Sequence, residues 1–247
     1  LRPPLAWLYD GWERLAGRLC DRVITVGEAI AGRFPPGRTV IVRNLPDLAR
    51  FRSADPARPA PDGTITAIYT GVVERPRGLL NAAQAASRLP PECPLRVRIV
   101  GPCPFPAFAE ELRAAGRSRV SVEPPVPYEQ IPDLLAASHL GLELALPTPL
   151  NTLLWPRKVF EYMAAGLPVL RAHYPAWEAF APVGSVAVDP EDVDAIAGAL
   201  CRLVEDADLR ARLGAAGRAL AQERYRWDNE ARTLLDLYAS LIGPPDA

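Results

Sequence analysis

The residues best equipped for chemistry fall in one stretch, Pro147-Thr-Pro-Leu-Asn-Thr-Leu-Leu-Trp-Pro-Arg-Lys158-Val-Phe-Glu161-Tyr-Met-Ala-Ala-Gly166-Leu-Pro168-Val169. Lys158 is the only lysine among 28 basic residues, so the other 27 are arginines. A GC-rich genome produces this bias, because arginine codons are GC-rich and lysine codons are not. A lysine that survives it points to a place where a compact ammonium serves and a planar guanidinium does not; chance survival is the alternative. The stretch predicts an irregular loop leading into a helix, with Pro156 near the first turn and Gly166 then Pro168 ending it. Lys158 and Glu161, three residues apart, share a helix face. A helix start with an added cation makes an anion site. The acid one turn further on can accept hydrogen bonds from a diol such as the ribose hydroxyls. Together they describe a nucleotide diphosphate lying along the helix. The plainer alternative is a surface Lys–Glu pair worth roughly a few tenths of a kcal/mol, and spacing leaves both open.

Two further turns carry weaker signals. Tyr69-Thr70-Gly71 is followed by Val72–Pro76 and then by Arg77-Gly78, which opens a helix. Gly71 lets backbone approach a ligand closely, the helix start offers free N–H donors, and Arg77 can add charge-assisted bonds to a phosphate. One arginine in a turn means little by itself in so arginine-rich a chain. Ile99-Val100-Gly101-Pro102 fits an ordinary tight turn. His139 and His173 fit packed or solvated roles, and no Ser-His-Asp or Cys-His arrangement emerges. Cys20, Cys93, Cys103 and Cys201 lack paired spacing, which suits scattered thiols in a reducing compartment rather than a metal site or disulfide frame.

The elements that must position these residues alternate along the chain. Strands are predicted at Thr64–Thr70, Leu95–Gly101, Ser118–Glu123, His139–Ala145, Pro168–Arg171 and Ser185–Val188. Helices are predicted at Leu79–Arg88, Ala107–Ala115, Tyr128–Ala137, Trp155–Ala165 and Ala176–Phe180. Short apolar strands alternating with amphipathic helices specify a doubly wound parallel sheet, an α/β Rossmann-like fold. Three closing helices follow: one capped by Asp189 with Pro190 at its first position, then Ala207–Glu223 and Asp228–Ile242. Ahead of the sheet lie a helix with Trp7, Leu8, Trp12, Leu15 and Leu19 on one side, and short strands at Arg22–Val26 and Thr39–Arg43. A boundary is expected within or just before the Pro-rich Ala49–Gly63 segment.

Composition bounds the function. The chain has 247 residues, 49% of them hydrophobic, and a net charge of −1. That excludes a disordered chain and gives no basic face for nucleic acid. No uncharged apolar run approaches the roughly 18 residues of a membrane span. Leu1-Arg2-Pro3-Pro4 does not fit a signal peptide. Met163 is the only methionine, so the sequence is expected to be a fragment or a processed product.

Lys158-Val-Phe-Glu161-Tyr-Met-Ala-Ala-Gly-Leu-Pro-Val closely resembles the donor-site signature of retaining GT-B glycosyltransferases, group 1 and family 4-like. Weaker matches follow in order: Cys20-Asp-Arg-Val-Ile-Thr-Val, Val42-Arg-Asn-Leu-Pro-Asp, Tyr69-Thr-Gly with Arg77-Gly, Ile99-Val-Gly-Pro, Ile131-Pro-Asp-Leu-Leu-Ala-Ala-Ser and Tyr225-Arg-Trp. The resemblance implies three parts. Residues 1–46 would be the tail of an N-terminal acceptor-side domain and the link from it. Residues 47–226 would be the nucleotide-sugar domain, and 227–247 a helix returning toward the N-terminal domain.

It also implies roles. Arg77 and Lys158 would bind the donor pyrophosphate and stabilise the leaving group. Glu161 would hold the ribose, Gly71 would let the donor pass close to the backbone, and Asn151–Leu154 would offer backbone N–H groups. Base contacts would come from the loops after Gly101 and around Val126–Tyr128. No cofactor or metal is implied. The implied partners are a nucleotide-sugar donor, a glycan or lipid-linked acceptor and the missing N-terminal domain. The implied setting is a bacterial cytoplasm and polysaccharide biosynthesis, with peripheral association at the inner face of the membrane.

Two positions depart from the family pattern: Leu153 stands where many members carry a first glutamate, and Val72 where many carry an arginine. A subgroup matching Pro156–Ala164 often lacks that first acid. Two other readings stay open: a non-catalytic nucleotide-sugar-binding subunit, and a sugar-nucleotide epimerase of the same architecture.

Overall fold

The computed structural model describes residues 3–152, 155–178, 181 and 183–242. The chain divides into two compact units, one of residues up to Leu45 with those from Trp227 onward, the other Pro46–Arg226. In the first, α1 (Pro3–Leu19) precedes β1 (Val23–Thr25), α2 (Glu28–Ala31) and β2 (Thr39–Ile41). β1 and β2 pair in parallel, Val23 opposite Thr39. Trp7, Leu8, Trp12, Leu15 and Leu19 are all exposed on α1, as are Ile24 and Val26 at β1. Glu230, from the closing helix of this unit, is buried and accepts from the Arg43 backbone N–H at 2.6 Å.

The second unit alternates strand and helix from β3 (Ile65–Thr70), α3 (Leu79–Arg88), β4 (Leu95–Val100), α4 (Pro106–Gly116), β5 (Val120–Glu123), α5 (Ile131–Ala136), β6 (Leu140–Glu143), α6 (Arg157–Ala164), β7 (Val169–Ala172) and α7 (Pro175–Glu178) to β8 (Ser185–Val188) and α8 (Val193–Glu205), and a further helix, α9 (Ala207–Arg224), follows before α10 (Trp227–Ile242) of the first unit. Its six strands are all parallel, in the order β5-β4-β3-β6-β7-β8. All six residues of β3 and all four of β6 and of β7 are buried, as expected for parallel strands covered on both faces. Ile65, Ala67, Tyr69, Leu95, Val97, Ile99, Leu140 and Leu142 form the middle of the core. The chain leaves β3 toward β4 and β5, then crosses back to β6 on the other side. The strand order therefore reverses between β3 and β6, and the crevice outside the carboxyl ends at such a reversal is where doubly wound sheets take ligands.

Two predicted elements need correction. Asp189 is not the cap of α8: that helix starts at Val193, and Asp192 Oδ1 accepts from the N–H groups of Asp194 and Ala195 at 3.0 and 2.9 Å. Asp189 instead accepts from Glu191 N–H at 2.9 Å, bending the chain ahead of the helix. The Pro190 carbonyl is held by Asn81 Nδ2 at 2.8 Å. The predicted Tyr128–Ala137 helix is split into a 3-10 turn, Tyr128–Gln130, and α5. In the predicted Ala176–Phe180 helix, α7 runs Pro175–Glu178, and Ala179 and Phe180 lie outside the described residues. The predicted end of α6 holds: Gly166 N–H bonds Met163 O and Leu167 N–H bonds Tyr162 O, both at 2.9 Å, a Schellman pair.

Two buried contacts give measurable consequences. A Cβ on Gly141 would lie 2.3 Å from Tyr162 Cδ2, so the bare backbone of β6 is what lets the Tyr162 ring and α6 lie against the sheet. Gly141→Ala should destabilise the chain by about 1–3 kcal/mol, the usual cost of overpacking, read as a lower urea midpoint; an unchanged midpoint contradicts this packing.

His139, just before β6, accepts from Thr66 N–H at Nδ1 (2.9 Å) and places Nε2 3.0 Å from Arg58 O, so the neutral Nε2–H tautomer fits both partners. Burial, with the Arg210 charge adding to it, holds its pKa below the usual value. A depressed histidine pKa contributes stability above the unfolded value of about 6.5 and loses it as pH falls through the folded value. The urea midpoint should decline from pH 7 to pH 5, and His139→Asn should flatten that decline. An equal decline in the variant would contradict the assignment.

Candidate functional site at the carboxyl ends of β3 and β6

α6 carries the site because its own residues pin it. Val159, Phe160, Tyr162 and Met163 are buried, and the Tyr162 hydroxyl accepts from Thr70 N–H at 3.1 Å, tying the helix to the last residue of β3. Lys158, in the first turn of α6, is thereby held where the strand order reverses. Its ammonium lies 2.6 Å from Glu143 Oε2, and its side chain is 13% exposed. It also sits over the Tyr69 ring, 4.9 Å from the centroid. Glu143, the last residue of β6, is 1% exposed. Its Oε2 accepts no hydrogen bond of ordinary geometry among the described residues, so the contact with Lys158 is a close ion pair rather than an aligned hydrogen bond.

Gly71 follows β3 directly with φ +142, and a Cβ there would meet Tyr69 Oη at 3.3 Å and Lys158 Cε at 3.4 Å. The predicted point of close backbone approach is therefore beside the lysine. Tyr69 joins the parts electrostatically: burial pushes its phenol pKa well up, Glu143 adds to that, and Arg77 opposes it. Its hydroxyl donates to Val72 O at 2.9 Å.

Arg77 closes a 3-10 turn at the start of α3, with Nε 3.2 Å from Glu74 Oε1 and about a third of its side chain exposed. Asn151 Nδ2 donates to Pro76 O at 3.1 Å and to Leu146 O at 3.0 Å, tying the loop before α6 to that turn. Leu153 and Leu154 of the predicted N–H-donating loop lie outside the described residues.

Glu161, one turn beyond Lys158, does not pair with it. Its Oε1 accepts from Arg157 Nε at 2.8 Å and from the Tyr128 hydroxyl at 3.1 Å, and the Arg157 guanidinium lies 4.6 Å over the Tyr128 ring. Among the described residues, both of these hydrogen bonds fall on Oε1. The surface Lys–Glu pair is thus not formed: each residue has its own partner and neither points into bulk water. The structure gathers Gly71 and Lys158 with Tyr69, puts Arg77 within electrostatic reach of that tyrosine, and holds Glu161 a turn away.

Glu143 and Arg157 escaped sequence reasoning. Glu143 did leave a signal, as a charge inside the otherwise apolar run Leu140-Gly-Leu-Glu-Leu-Ala-Leu146, where burial is costly unless paired. Among the described residues no group of three His, Cys, Asp or Glu converges as a metal site, and no helix is long and apolar enough to cross a membrane.

Comparison with known proteins adds the family. A family model described as "Glycosyl transferase-like" matches residues 75–236. The D-inositol 3-phosphate glycosyltransferase of Xylanimonas cellulosilytica is 32% identical over 179 residues, covering 70% of this chain and 41% of the relative. Anabaena HepE, solved in complex with UDP and glucose, superposes with TM-score 0.77 at 19% identity, over 92% of this chain and 65% of its own. The C-terminal domain of the glycosyl transferase group 1 family protein LpcC from Francisella tularensis gives TM-score 0.58 at 17% identity, over 73% of this chain and 98% of that domain. The chain thus spans less than half the length of the curated inositol-phosphate relative and about two thirds of HepE. Matched over residues 75–236, with the reversed strand order and its lysine-bearing helix in place, this chain belongs to the group 1, GT-B glycosyl transferase-like family.

Proposed function

We propose that this chain is the donor-binding half of a nucleotide-sugar-dependent glycosyltransferase that moves a sugar, with retention, onto a glycan or lipid-linked acceptor. One observation carries the proposal: the only lysine of the chain stands in the first turn of α6 at the strand-order reversal, against Gly71. A diphosphate at that helix start meets the helix dipole, the Lys158 ammonium and, from the facing turn, Arg77. As the bond from sugar to phosphate breaks, negative charge grows on the departing diphosphate. Fixed cations stabilise that charge more than they stabilise the bound donor, which is how they lower the barrier. Glu161, with Oε1 already held by Arg157 and Tyr128, has Oε2 available for a ribose hydroxyl. HepE was solved with UDP and glucose, which supports a nucleotide donor of this kind.

The acceptor side belongs, in this proposal, to a larger N-terminal domain that would cover the parallel pair β1–β2 and the exposed face of α1. Leu153, in place of the first acid, favours a second reading, a nucleotide-sugar-binding subunit without activity of its own. Transfer assays on this chain joined to an acceptor-side domain separate the two.

Titration calorimetry with UDP, GDP and ADP and their sugars tests donor binding. Loss of a charge-assisted bond is worth about 1.5–3 kcal/mol, so Lys158→Ala should weaken diphosphate binding about 10–100-fold, with Lys158→Arg restoring part of it. Glu161→Gln should abolish the preference for a ribose over a 2′-deoxyribose diphosphate. Unchanged binding in Lys158→Ala would refute the assignment.

A further inference from the structure

Glu143 is the buried ionisable group that donor binding leaves unexplained. A carboxylate at 1% exposure is costly unless donors surround it. Its in-register neighbour on β7, Arg171, does not serve: its guanidinium goes to Ser185 Oγ, Glu178 Oε1 and the carbonyls of Ala172 and Ala181. Tyr69, the other wall around the lysine, has its hydroxyl on Val72 O and presents only a ring face. Among the described residues the Lys158 ammonium at 2.6 Å is thus the compensation Glu143 has. The same ammonium is the one a diphosphate at the start of α6 requires. One cation faces two anions, and one of the two is built into the fold.

We infer that Glu143 is a counter-ion that occupies Lys158 in the donor-free chain, so that a diphosphate binds by competing with this carboxylate for the ammonium. This inference rests on the donor-binding role proposed for Lys158. Glu143 is accordingly a positioning residue. It keeps the ammonium at the carboxyl ends of β3 and β6, and its charge lowers affinity for the diphosphate while leaving the nucleoside portion untouched. A carboxylate with a purely structural role would give the opposite pattern: its loss would loosen α6 and weaken nucleoside and diphosphate alike.

The lone lysine makes the test direct. Protein labelled with [13Cε]lysine gives a single lysine cross-peak, displaced by the Tyr69 ring beneath it. In the wild type, UDP should move that peak and uridine should not. Glu143→Gln, which keeps the shape and removes the charge, should tighten UDP binding about 3- to 10-fold with uridine affinity unchanged. Glu143→Asp, which keeps the charge and withdraws it by one methylene, should fall between the two. If Glu143→Gln does not fold, Glu143→Asp and the wild-type titration decide: no intermediate tightening, or a lysine peak unmoved at saturating UDP, overturns the inference. Equal or weaker UDP binding in a folded Glu143→Gln also overturns it. The donor role fails separately, if wild type binds UDP no better than uridine or if Lys158→Ala keeps the preference for UDP.

Discussion

A single ammonium, fixed where a parallel sheet reverses its strand order, is the constraint around which the second unit is arranged. Its position depends on α6 and on three features of the strands beneath that helix. Gly141 leaves room for the Tyr162 ring, Thr70 N–H holds the Tyr162 hydroxyl, and Glu143 supplies the negative charge that faces the Lys158 ammonium. Each comes from the carboxyl-terminal half of β3 or from β6, the two strands that flank the reversal. Packing, backbone hydrogen bonding and electrostatics therefore act on one side chain from the same two strands.

The contrast with the arginines explains why that side chain is a lysine. Three buried or half-buried arginines spread their donors over main-chain oxygens. Arg210 reaches the carbonyls of Pro56, Ala57, Leu203 and Val204, Arg218 those of Phe51 and Ala164, and Arg119 those of Pro90 and Cys93. A guanidinium suits that task because its planar fork can satisfy several acceptors while buried. At position 158 the surroundings are one carboxylate, one aromatic face and a glycine backbone. A compact ammonium fits them.

Much of this was legible in the sequence because the signals are local. The alternation of apolar strands with helices predicted the parallel sheet, and the Pro156 and Gly166 punctuation predicted the helix that carries Lys158. The cap of α8 was misplaced because Asp189 and Asp192 both precede the helical run, and only the free N–H groups of Asp194 and Ala195 decide between them. The partners of Lys158 and Glu161 were not legible for a different reason. Glu143 lies 15 residues before Lys158, and Tyr128 lies 33 residues before Glu161. Three-dimensional proximity across a crossover leaves no periodic trace. Even so, a charge embedded in an apolar strand marks a residue whose partner must be sought elsewhere in the fold.

A crystal structure of the chain soaked with UDP tests the central claim most directly. A diphosphate oxygen is expected within hydrogen-bonding distance of Lys158 Nζ at the start of α6, with the ribose on Glu161 and Gly71 in contact with the ligand. A nucleotide bound away from the carboxyl ends of β3 and β6, with Lys158 making no contact to phosphate, would contradict it.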